Sequence, residues 1–116
     1  MKIGFIAPYQ DLIAMVEHVR QDNHTDVELI VKQATYTQAI REVRKMEAQG
    51  VEAIISRGAT VAYIEQYTKL PVIRCDYGVA DLLYALREAK KFSSRVGVIT
   101  YASHAWMKSI LEDLCQ

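Results

Sequence analysis

The side chains able to do chemistry in this 116-residue chain sit in short polar stretches that each follow an apolar run. These are Tyr9-Gln10, Thr35-Tyr36, Ser56-Arg57-Gly58-Ala59-Thr60, Arg74-Cys75-Asp76-Tyr77 and Thr100-Tyr101-Ala102-Ser103-His104. The most specific is Ile54-Ile55-Ser56-Arg57-Gly58-Ala59-Thr60, where an apolar run turns into a helical pattern through small residues. Backbone N–H groups at a helix start favour an anion, and Arg57 and Thr60 add a charge and a hydroxyl donor. The same residues also suit a tight turn whose arginine makes a surface ion pair. Tyr9, Tyr36, Tyr77 and Tyr101 either lay a ring on a ligand while the hydroxyl donates, or cap the core. Cys75-Asp76 reads as a nucleophile with a partner or as a small end-of-strand residue, and no base is identifiable. His104, beside the N-cap residue type Ser103, faces solvent or touches a ligand.

Several familiar chemistries lack their residues. A phosphoacceptor receiver needs acidic side chains after the first and third strands and a lysine after the fifth, where this chain has Tyr9-Gln10, Ser56-Arg57 and Tyr101-Ala102. Nothing there would hold magnesium. Gly4 stands alone where a dinucleotide fold needs Gly-x-Gly-x-x-Gly, and there is no lysine-bearing phosphate loop. His18, His24 and His104 have no metal-ligand spacing with one another or with Cys75 and Cys115. No cofactor and no metal are expected.

Composition narrows the field further. Hydrophobic residues make up 51% and charged residues 24%, the balance of an ordinary globular domain. Basic and acidic residues number 14 each, so there is no net positive field for phosphate backbones, and direct nucleic acid contact by this segment is not expected. The run Ile3 to Ala7 is too short for a secretory signal and ends at Pro8-Tyr9-Gln10-Asp11. No stretch approaches the ~20 apolar residues of a membrane span. Two distant cysteines without Cys-x-x-Cys spacing fit reduced thiols, so a cytoplasmic location away from the membrane is expected.

The elements that must position these side chains alternate strictly. Ile3–Ala7 is a continuous apolar run, as in a strand buried on both faces, and Leu12, Met15, Val16 and Val19 follow at helical spacing. Val27–Val31 is the second strand, followed by a helix carrying Ile40, Val43 and Met46 that stops at Gly50. Ala53–Ile55 precedes a helix through Val61 and Ile64, and Pro71 opens the strand Val72–Ile73. A helix with Leu82, Leu83, Leu86 and Ala89 leads to a fifth strand at Val96–Ile99, and a last helix carries Met107, Ile110, Leu111 and Leu114. The pattern predicts a three-layer α/β/α fold with a parallel sheet, flavodoxin-like or chelatase-like, in strand order 2-1-3-4. Ligands of such sheets bind at the carboxyl ends of the strands, where the polar stretches fall.

The order of these features resembles a known family. Ile54-Ile55-Ser56-Arg57-Gly58-Ala59-Thr60, Leu70-Pro71-Val72-Ile73, Asp81-Leu82-Leu83-Tyr84-Ala85-Leu86 and Arg95-Val96-Gly97-Val98-Ile99-Thr100-Tyr101 resemble the N-terminal sensory domain of the propionate-catabolism activators, which are sigma-54-dependent regulators. The likeness is strongest over 52–102. The family usually carries a second glycine where this chain has Ala59, and a positive φ there would be strained.

The resemblance implies a two-lobed sensor of a small organic acid that controls an attached ATPase module and a helix-turn-helix module. Residues 1–78 would form the first lobe, 79–94 a crossover helix, and 95–116 the start of the second lobe. The fifth strand then joins the first sheet, contributes to the second lobe, or pairs with another copy in a swapped homodimer. The expected ligand-binding residues are Ser56, Arg57, Gly58, Thr60, Tyr9, Tyr36, Tyr77, Tyr101 and His104, with no catalytic residue. Two rival readings are a two-lobed α/β enzyme, with Arg57 as an anion clamp and Asp76 or His104 moving protons, and a protein-interaction module.

Overall fold

A computed structural model describes residues 1–23, 26–99 and 105–114. The chain divides into two compact units, Met1–Cys75 and Asp76–Gln116. The first runs β1 (Lys2–Ala7), α1 (Gln10–Asp22), β2 (Glu28–Gln33), α2 (Tyr36–Ala48), β3 (Ala53–Ser56), α3 (Ala59–Ile64) and β4 (Val72–Arg74). All strand pairs are parallel and the order is β2-β1-β3-β4, the order that the sequence pattern predicts.

Alternation along each strand sends neighbouring residues to opposite faces of the sheet. In register, Val31, Phe5, Ile55 and Ile73 form one row across the strands, and Ile30, Gly4, Ile54 and Val72 form the next. The second row belongs to a core with Ile6, Ala39, Val43, Met46 and Ile64, which puts α2 and α3 on that face. The first row packs with Leu12, Ile13 and Val16 of α1 on the other face. Helices on both faces of a parallel sheet make the three-layer α/β arrangement.

Gly4 is required by close approach. A Cβ built there would lie 2.5 Å from Met46 Sδ and 2.8 Å from Ile54 Cδ1, so the absent side chain is what lets α2 settle against β1.

The two faces are covered unequally. On the α1 side an apolar groove of about 270 Å³ is lined by Phe5, Val16, Val19, Val27, Leu29 and Ile55. Met15 and Val19 are each 58% exposed, so the helix turns Leu12, Ile13 and Val16 inward and not the full set that spacing predicted. Ile73, at the end of the first row, is half exposed as well.

The second unit holds α4 (Val79–Lys90) and α5 (Ala105–Leu114). The Gly78 N–H donates to Asp81 Oδ2 at 2.8 Å and caps the start of α4, with Lys91 and Glu88 paired at its end. Leu82 is buried while Leu83 is exposed, so the apolar face of α4 is narrower than the leucine pattern suggested. Residues 96–99 carry no strand, and Ile99 is fully exposed. Among the described residues no helix is long and apolar enough to cross a membrane.

Candidate functional site

Because every strand of the first unit runs the same way, the turns after β1, β2, β3 and β4 share one rim of the sheet. The ladder continues just past the strand ends: the Ala34 N–H donates to Ala7 O at 3.0 Å, and the Cys75 N–H donates to Ser56 O at 2.8 Å. Those bonds hold the turn residues in place relative to one another.

Arg57 is the organising side chain of this rim. Its Nε donates to the Cys75 carbonyl at 2.7 Å, its Nη1 donates to Tyr9 Oη at 2.8 Å, and its Nη2 lies 3.8 Å from Cys75 Sγ. One guanidinium therefore ties the ends of β1, β3 and β4 together. Partial burial works against its charge, but the hydrogen bonds and favourable charge interactions with Tyr9 and Cys75 outweigh that and raise its pKa above the ordinary arginine value. Arg57 is a permanent, half-buried cation.

The neighbours of Arg57 play different parts. Ser56 is fully buried and its Oγ donates to the Ile6 carbonyl at 2.7 Å, so this hydroxyl cross-links β3 to β1 inside the sheet. Thr60 is only 3% exposed and faces the interior of the unit, not its surface. Gly58 precedes α3 with φ 63° and ψ −141°, a backbone region that favours glycine. The positive φ falls on Gly58 while Ala59 begins the helix, so the alanine in place of the family's second glycine causes no strain. With six residues, α3 contributes only a small dipole.

The tyrosines separate. Tyr9 joins Arg57. Tyr36 instead opens α2 at φ 46°, an uncommon conformation for a bulky residue, with its ring edge-on to Tyr63 at 5.6 Å. Tyr63 in turn meets Tyr67 at 5.5 Å, which gives an aromatic cluster drawn from the first residue of α2, from α3 and from the turn that follows α3. Tyr63 and Tyr67 carry no sequence signal as a pair, because α3 ends at Ile64 and Tyr67 stands in the turn after it. Sequence reading passed over Cys75 as a partner of Arg57, because the bond that matters comes from a backbone carbonyl and carries no residue signature. Tyr77 is exposed and Asp76 half-buried in the second unit. Tyr101 and His104 lie outside the described residues.

Arg57 thus places a half-buried cation at the carboxyl rim of a parallel α/β sheet. The structure is similar to the solved crystal structure of an NtrC family transcriptional regulator from Clostridium acetobutylicum, with a TM-score of 0.63 and 29% identity over 79% of this chain and 48% of that one. This chain thus spans about half the length of that regulator. It belongs to the propionate catabolism activator family, whose N-terminal domain profile matches residues 11–116.

Proposed function

We propose that this chain is the sensory part of a cytoplasmic sigma-54-dependent transcriptional regulator, and that it receives a small organic acid at the rim built around Arg57. The reading rests above all on one observation: a guanidinium held charged and half-buried, with the Tyr9 hydroxyl on it. Family membership and likeness to an NtrC family regulator support the regulatory role. Arginine is well suited to carboxylates, which its planar donors match in shape and charge. In this reading 1–78 is the first lobe, 79–94 the crossover helix and 95–116 the opening of the second lobe. Acid binding favours one arrangement of the lobes, and that difference in affinity is what biases an attached ATPase and helix-turn-helix. Thr60 and Gly58 shape the turn that carries Arg57.

The test is a ¹H–¹⁵N NMR titration of the 116-residue chain with acetate, propionate, succinate and citrate, repeated on Arg57→Ala. At least one acid should shift the resonances of Tyr9, Arg57 and Gly58 saturably in the wild type, with affinity falling about tenfold or more in the variant. Equal affinity in the two proteins would remove Arg57 from the site and overturn the reading.

A further inference from the structure

The way Arg57 is held limits how it meets an anion. Its Nε and Nη2 are both turned to Cys75, toward the carbonyl at 2.7 Å and the thiol at 3.8 Å. These two nitrogens form one of the edges through which a guanidinium grips a carboxylate with two parallel bonds. That edge is committed to the end of β4.

The remaining nitrogen, Nη1, donates to Tyr9 Oη at 2.8 Å. A phenol that accepts a bond still has its own O–H proton to donate. Tyr9 is 36% exposed, and its hydroxyl donates no hydrogen bond among the described residues. A hydroxyl whose oxygen accepts from a cation becomes a stronger donor, because hydrogen bonds in a chain polarise one another. The positive charge is thereby relayed to an accessible O–H at the mouth of the rim.

We propose that Tyr9 is the specificity-determining donor of the site: a carboxylate oxygen is taken by the Tyr9 O–H, with Arg57 acting behind it and not as a two-pronged clamp. This rests on the reading of the rim as an acid-binding site. It assigns the class of ligand contact, a single anionic oxygen on a polarised phenol. The β1–α1 turn, which carries Tyr9, becomes the part of the protein that first meets the ligand.

The experiment is the NMR titration with propionate on the wild type, Tyr9→Phe, Arg57→Ala and the double variant. Phenylalanine keeps the ring and removes the donor. Tyr9→Phe should lose about tenfold in affinity, as expected for one hydrogen bond to a charged group. Arg57→Ala should lose a similar amount, and the double variant should match Tyr9→Phe, because the guanidinium acts through the phenol. Unchanged spectra away from the rim establish that each variant is folded. Wild-type affinity in Tyr9→Phe together with a loss in Arg57→Ala would overturn this inference and leave the acid site standing. No saturable shift in the wild type with acetate, propionate, succinate or citrate, or no loss in Arg57→Ala, would overturn both.

Discussion

Tyr9 and Arg57, 48 positions apart in the chain, meet through a 2.8 Å hydrogen bond from the guanidinium to the phenol oxygen. The bond joins the turn after β1 to the turn after β3, neighbouring strands in the sheet. It lies at a partly open surface, so its weight is in placing the two groups and not in holding the fold together. Removing the hydroxyl in Tyr9→Phe should change unfolding free energy by less than about 1 kcal/mol, measured by urea denaturation. A larger loss would show the phenol to be a structural strut.

Ser56 presents the opposite case. Its hydroxyl is fully buried and bonded to the Ile6 carbonyl at 2.7 Å. Ser56→Ala should destabilise the chain by about 1–2 kcal/mol and leave propionate affinity where it is in the wild type. A specific loss of affinity at unchanged stability would return Ser56 to the list of ligand contacts.

Two glycines should fail for different reasons. At Gly4 the obstacle is space, since Met46 Sδ and Ile54 Cδ1 stand within 3 Å of an added Cβ, and Gly4→Ala should cost about 1–3 kcal/mol. At Gly58 nothing lies within 4 Å of an added Cβ, and the obstacle is the backbone at φ +63°. Gly58→Ala should also cost about 1–3 kcal/mol. Shortening Met46 to alanine removes the nearer obstacle at Gly4. In that background Gly4→Ala should cost less than in the wild type, whereas the cost of Gly58→Ala should not change. Melting curves of the three single and two paired variants test this.

Arg57 sets an expectation for pH. Its folded pKa is raised, so the stability it contributes is fully present below the unfolded value and is lost only as pH rises through the folded one. Both values lie far above neutrality. Propionate affinity should therefore be flat from about pH 6 to about pH 8, a range in which the acid is also ionised. A tenfold change in that interval would reveal another titrating group at the site.

Much of the scaffold was legible in the sequence because it depends on periodicity. The β1, β2 and β3 runs and the helices that follow them rest on spacing of apolar residues, and the parallel pairing of the strands rests on their alternation with helices. Family membership was legible for the same reason, through ordered motifs. The details of the site were harder to read. That Arg57 and Tyr9 would bond, and that Cys75 would offer its backbone, depends on which strands are neighbours and on the exact register at their ends. Ser56 and Arg57 are adjacent in sequence yet take opposite roles, one sealed between strands and the other at the rim, because successive residues at a strand end point to different places. The strand expected at 96–99 shows the limit from the other side. A β-prone run of Val-Gly-Val-Ile becomes a strand only when another strand pairs with it.

The parallel arrangement of the sheet also sorts the connections by how much change in length they can absorb. The turns at 8–9 and 57–58 are bonded to each other across the rim, so inserting or deleting a single residue in either would swing Tyr9 or Arg57 out of reach. The connection at 49–52 lies at the opposite end of the strands, where Gly50 has no neighbour within 4 Å of an added Cβ. A residue added beside Gly50 would leave the Tyr9–Arg57 bond at the far rim as it is.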